Sequence, residues 1–216
     1  QIARRRRIGR RPGRFGIPDG AAEISRPDAS TILGAAKLSG KTESGMSFAV
    51  LETLTAAEYA LLEETTTNPV TGKTQRVERD HLVEPMTNHF VARAVQDVGA
   101  LSKLGATMTA MNGEGFAPAY VGSIDATRRF SEGGARVFGR LAASRNGAFD
   151  DRSRGYEGAL LLEDWSGTWS GQAYADVRSR GFDTNDLGFT LRSDIVQSGA
   201  WGSLVPRRPF FIFRTS

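Results

Sequence analysis

The feature that most constrains this chain is a period-two alternation of apolar and polar residues, repeated along the sequence and interrupted by clusters of Gly, Asn, Asp and Pro. Successive side chains of a β-strand point to opposite faces, so each alternating run reads as a strand with two unlike faces. Met46, Phe48 and Val50 alternate with Ser47 and Ala49, and Phe90, Ala92 and Ala94 alternate with Arg93 and Asp97. After a turn over 99–103, Leu104, Ala106, Met108 and Ala110 alternate with Gly105, Thr107 and Thr109, which predicts a hairpin. A second hairpin is predicted where Tyr120, Gly122, Ile124 and Ala126 oppose Ser123, Asp125, Thr127 and Arg129, followed by Val137, Gly139 and Leu141 against Arg136 and Arg140. Tyr156, Gly158, Leu160 and Leu162 then face away from Glu157 and Glu163, and Ala173, Ala175 and Val177 face away from Gln172, Tyr174, Asp176 and Arg178. Helix-forming composition is confined to about Thr55 to Glu64, a run that also reads as a strand end. The expected fold class is all-β, an antiparallel up-and-down meander.

Two architectures satisfy this alternation. In a soluble β-sandwich the charged face meets solvent and the apolar face packs on a second sheet. In an outer-membrane-type β-barrel the apolar face meets lipid and the charged face lines the interior. Strands of about 8–11 residues suit a tilted membrane strand, which needs about 9–11. Many apolar positions are Ala or Gly, which fill a two-layer core poorly but are tolerated against lipid. Alternation alone leaves both open.

Charge and composition exclude other classes. Residues 1–14 carry seven arginines, Arg4, Arg5, Arg6, Arg7, Arg10, Arg11 and Arg14, and no acid, so removing them turns the net charge of +4 into −3. The cationic character therefore belongs to one segment, and with no interleaved aromatics it makes a poor nucleic-acid footprint. No nucleic-acid partner is expected. The absence of cysteine excludes thiolate metal sites and cysteine nucleophiles. No run is long and apolar enough for a membrane-spanning helix. An Arg-rich entry segment over residues 1–30 and a β-domain over 31–216 are the expected divisions, and a start at Gln1 without an apolar leader reads as a fragment or mature chain.

No motif points to catalysis. Gly34 to Thr42 has five residues between Gly34 and Gly40-Lys41-Thr42 where a phosphate loop needs four, and a turn and strand follow it in place of a helix. His81 and His89 lack a second ligand at metal spacing. The acidic pairs Glu63-Glu64, Asp150-Asp151 and Glu163-Asp164 each point to opposite strand faces, so none is a hydrolytic dyad by itself. Neither cofactor nor metal is expected, and Asp183, Asn185 and Asp186 read as an Asx-turn rather than a calcium site. Trp165, Trp169 and Tyr174 are candidate sugar-stacking residues, with an interfacial aromatic girdle as the competing explanation. If the sheet is part of a barrel, Lys37, Lys41, Arg93, Asp97, Asp125, Arg129, Arg136, Arg140, Asp176 and Arg178 face its lumen. Gly202 to Arg207 resembles a protease-site linker, and coincidence is the simpler reading.

Four stretches carry a family resemblance: Arg6-Arg7-Ile8-Gly9-Arg10, Ile32 to Thr42, Val83-Glu84-Pro85-Met86-Thr87-Asn88-His89-Phe90-Val91, and Gly181-Phe182-Asp183-Thr184-Asn185-Asp186-Leu187-Gly188-Phe189. In this order they resemble an uncharacterised domain of Gram-negative bacteria that follows family 9 carbohydrate-binding modules and looks like an outer-membrane β-barrel. The resemblance implies an upstream carbohydrate-binding module in the natural protein, further strands downstream, outer-membrane lipid and glycans as partners, and a non-catalytic anchor or channel. It implies location in the outer membrane, with the periplasm or secretion as the alternative. Nine or so strands of an incomplete barrel would leave open edges.

Overall fold

In the computed structural model the described residues are 11–12, 17, 21–67, 69–115, 117–130, 134–147, 154–165, 167, 169–184 and 192–204. They form twelve strands in two sheets: β1 (Ala22–Ser25), β2 (Ile32–Lys41), β3 (Met46–Thr55), β4 (Glu58–Thr67), β5 (Thr74–Glu84), β6 (Thr87–Val98), β7 (Ser102–Gly113), β8 (Ala119–Arg129), β9 (Arg136–Asn146), β10 (Arg154–Asp164), β11 (Trp169–Arg178) and β12 (Ile195–Leu204). The larger sheet has nine antiparallel strands in the order β12-β11-β10-β9-β8-β7-β6-β3-β2, and the smaller has the order β1-β4-β5. The all-β antiparallel meander expected from alternation is the observed fold. Its edge strands, β2 and β12, are not paired with each other, so neither sheet closes into a barrel among the described residues.

Two neighbour relations depart from a simple meander: β1 pairs with β4 in the smaller sheet, and β3 lies beside β6 in the larger. β3 runs into β4 and β5 into β6 through two-residue connections, so the β4–β5 hairpin is an excursion that leaves the large sheet and returns to it. The bend is held by Thr55 and Thr87, both fully buried: the Thr55 hydroxyl donates to the Thr87 carbonyl at 3.2 Å, and the Thr87 hydroxyl to the Pro85 carbonyl at 2.8 Å. Just beyond it, Glu58 and Glu84 lie opposite each other and buried. Glu58 accepts from the Thr31 amide at 2.5 Å and Glu84 from the Ser30 hydroxyl at 2.9 Å, so neither carboxylate is left without a donor.

The helical composition at Thr55 to Glu64 is overridden: residues 58–67 are strand β4. Ala60 and Leu62 alternate inward and pack with Val83, Ile17 and Ala21. That is period two and not 3.6, and pairing with β1 on one side and β5 on the other supplies the hydrogen bonds a helix would have made internally. This small core includes Ala21, within residues 1–30, where β1 also lies. Of the seven N-terminal arginines only Arg11 is among the described residues, 3.9 Å from Glu23 and 3.7 Å from Asp28.

In the large sheet the turns follow local chemistry. Gly45 between β2 and β3 has φ +83° and Gly99 between β6 and β7 has φ +67°, left-handed conformations that glycine adopts without strain. The register then aligns the apolar residues in rows. One row runs Phe48, Ala94, Ala106, Ile124, Leu141, Gly158, Val177 and Val196, each directly opposite the next.

Candidate functional site: the ion-paired face

The face opposite that apolar row gathers the polar chemistry. A parallel row runs Lys41, Ser47, Val95, Gly105, Asp125, Arg140, Ala159, Asp176 and Gln197. Positions two apart share a face, so Lys37, Lys41, Arg93, Asp97, Asp125, Arg129, Arg136, Arg140, Asp176 and Arg178 all stand on this one side. The sheet brings together all ten residues singled out from sequence.

Their contacts form three clusters and one further ion pair. Arg93 reaches from β6 across β7 to bind Asp125 on β8 through two nearly parallel bonds of 2.9 and 3.0 Å, and it also donates to Thr107. The crossing depends on Gly105, since a Cβ there would lie 2.5 Å from an Asp125 carboxylate oxygen. Glu157 on β10 accepts from Arg140 at 2.5 Å and pairs with Arg178 at 3.5 Å, and Arg178 also binds Asp176 at 2.6 Å, which accepts from Gln197 at 3.2 Å. Asp97 lies between Lys41 at 3.8 Å and Lys103 at 3.1 Å. Arg136 pairs with Glu163 at 2.9 Å. Glu157 and Asp176 are buried while their cations are partly exposed. Charges held this way are positioned by their counter-ions.

A segment after β11 covers part of this wall. Ser179 anchors it, donating its amide to the Tyr156 carbonyl at 3.0 Å and accepting the Tyr156 amide on its hydroxyl at 2.9 Å. The Asp183 amide donates to the Ser144 hydroxyl and the Asn146 side chain to the Asp183 carbonyl, each at 3.0 Å. Phe182 is 3% exposed. Its backbone lies where a side chain on Gly155 would stand, so Gly155 is the residue that admits the segment. Asn185 and Asp186 of the proposed turn lie outside the described residues. Replacing Gly155 by alanine is expected to push residues 179–183 off the sheet at a cost of about 1–3 kcal/mol. The measurement is the rate of limited trypsin cleavage after Arg180, which should rise severalfold over the parent chain.

The apolar face is left open. Ile124 is 61% and Leu141 63% exposed, with Leu104, Met108, Tyr156, Leu160 and Val196 also exposed. Gly139 and Ala126 leave a depression of about 470 Å³ between Leu104, Ile124 and Leu141. The band has charged ends: on β10, Arg154 and Asp164 bracket Tyr156, Gly158, Leu160 and Leu162, while Arg145 and Arg128 end it on β9 and β8.

The candidate aromatic residues do not form one platform. Trp169 shares the apolar face with Ala173, Ala175 and Val177, whereas Tyr174 points to the ion-paired side, where its ring lies over Gly199. No single sugar ring can lie against both. Trp165 packs instead on Trp201, with ring centroids 5.2 Å apart and planes tilted by 57°. Trp201 was not singled out from sequence, because it sits in the weakly alternating run Gly199-Ala200-Trp201-Gly202, whose partner strand is not evident locally.

Fold and site together define an all-β protein built on an antiparallel meander whose polar chemistry is collected on one face of its larger sheet. The chain belongs to the family described as a domain of unknown function, DUF5916, whose model matches residues 3–215. No curated protein and no solved structure matches the chain.

Proposed function

We propose that the chain is a sector of the wall of an outer-membrane-type β-barrel, with its apolar face against lipid hydrocarbon and its ion-paired face toward the lumen. The observation that carries this reading is the contrast between the two faces of the large sheet: Ile124 and Leu141 stand open on the apolar face, while the carboxylates Glu157 and Asp176 on the other are buried among their partly exposed cations. Water favours the reverse arrangement, and hydrocarbon favours this one. Dimensions agree. Arg154 and Asp164 lie ten residues apart on one strand, which spans about 34 Å along the strand, or about 26 Å across a membrane at a tilt near 40°, close to the apolar band of such barrels. Tyr156 lies toward the Arg154 end of the band, and Trp169 and Phe130 toward the other, where interfacial aromatics stand. The role that follows is a non-catalytic anchor or channel, and the family resemblance supports association with carbohydrate binding or uptake through an upstream sugar-binding module.

A second reading, a soluble β-rich protein, is favoured by the open edges of both sheets among the described residues. One preparation separates the two. The wall reading expects the chain to require detergent and to migrate faster on a gel unheated than boiled. A monodisperse chain in plain buffer, with one migration position before and after boiling, would sink it.

A further inference from the structure

We infer that the end of the ion-paired face nearest the β10–β11 connection is a binding site for a linear neutral oligosaccharide, formed by the Trp165–Trp201 corner and the polar row beside it. Arg129, Arg136, Glu163, Gln172 and Trp201 follow one another directly across β8, β9, β10, β11 and β12. Neighbouring strands stand about 4.8 Å apart, so the row is a ladder whose rungs are spaced close to the length of one pyranose unit. At its end the two indoles pack at 57°, and both residues remain about half exposed, at 53% and 49%. They form an open corner rather than part of a core.

Several observations choose the ligand class. A girdle accounts for Trp169, which is on the apolar side, but not for Trp201, which shares its face with Gln197 and the charged row. An indole left half wet on a polar face suits a ligand that is itself apolar on one side and polar at its edges, as a pyranose ring is. Gln172 offers both an amide donor and an acceptor to hydroxyls. Glu163 ion-pairs with Arg136, which makes the centre of the row close to neutral and favours a neutral sugar over a phosphate-bearing chain. The site stands on residues of the polar face alone, so it holds whichever medium covers the other side.

The chain's only tryptophans are Trp165, Trp169 and Trp201, so intrinsic fluorescence reads the site directly. The full chain, held in a detergent without a sugar headgroup, is titrated with cellohexaose. A saturable emission change is expected, weakened at least tenfold in Trp201→Ala and in Gln172→Ala and retained in Trp169→Phe. The far-ultraviolet circular dichroism of each variant, matched to the parent, reports that it has folded. Gln172→Ala, which removes only an amide, keeps the test open should the tryptophan variant fail to fold. Absence of a saturable change, its persistence in Gln172→Ala, its loss in Trp169→Phe, or an equal response to a thymidylate decamer would each overturn the assignment.

Discussion

Replacing Glu157 by alanine is expected to destabilise the folded chain by about 3 kcal/mol, because removing one member of a buried ion pair strands its partners. Glu157 is 6% exposed and is shared by two guanidiniums, Arg140 at 2.5 Å and Arg178 at 3.5 Å. Without it, Arg140 and Arg178 face each other across β10 with no carboxylate between them. Arg178 keeps Asp176 as a partner, and the Arg140 side chain is 40% exposed, so water relieves part of the loss and holds the effect to the lower end of what such deletions cost. The measurement is the denaturant midpoint of the parent against Glu157→Ala, with Glu157→Gln as the second arm. Glutamine keeps an oxygen acceptor for Arg140 while removing the charge, so it should recover part of the deficit. The double replacement of Glu157 and Arg140 should cost less than the two singles added together, since the second change removes the charge that the first left unpaired. Equal midpoints for parent and Glu157→Ala would mean that the network contributes nothing to folding.

Which residues share this face was legible in the sequence, and who touches whom was not. Alternation assigns a side to each residue of a strand without reference to any other strand, and the register then sets the ten charged positions from Lys37 to Arg178 on one side. Pairing partners depend on which strands are adjacent. Arg93 meets Asp125 across an intervening strand because Gly105 leaves room, and neither alternation nor spacing indicates that crossing. The β4–β5 excursion was hidden for a related reason. Its segment carries helix-forming residues, and the signal that decides against a helix, the joint burial of Ala60, Leu62 and Val83, links positions about twenty residues apart. Trp165 and Trp201 are 36 residues apart in sequence and meet only once β10, β11 and β12 are side by side. Gly155 reads as a strand glycine of no special note until the backbone at Phe182 is seen against it. Trp169 and Tyr174 do not share a face for a simpler reason: they differ by an odd number of residues on one strand, and that parity alone places them on opposite sides.

Placing an arginine at Ile124 separates the two media that can cover the apolar face. Ile124 lies in the row between Ala106 and Leu141, four residues from Tyr120 on one side and four from Arg128 on the other, which puts it at mid-height of the band. If hydrocarbon covers that row, Ile124→Arg should cost about 2–4 kcal/mol in lipid vesicles, because no water reaches the guanidinium and its nearest outlets lie two rows away. Ala126→Arg, one row nearer Arg128, should cost less, since the side chain can extend toward the headgroups. If water covers the row instead, Ile124 is already 61% exposed and the same change should stay within about 0.5 kcal/mol, as surface substitutions do. The measurement is reversible unfolding of parent and variants from vesicles, and its information lies in the gradient as much as in the size. A penalty that falls from Ile124 to Ala126 follows the depth of a bilayer. A penalty equal at both, or absent at both, has no bilayer behind it, and the open apolar face would then need a protein layer or water as its explanation.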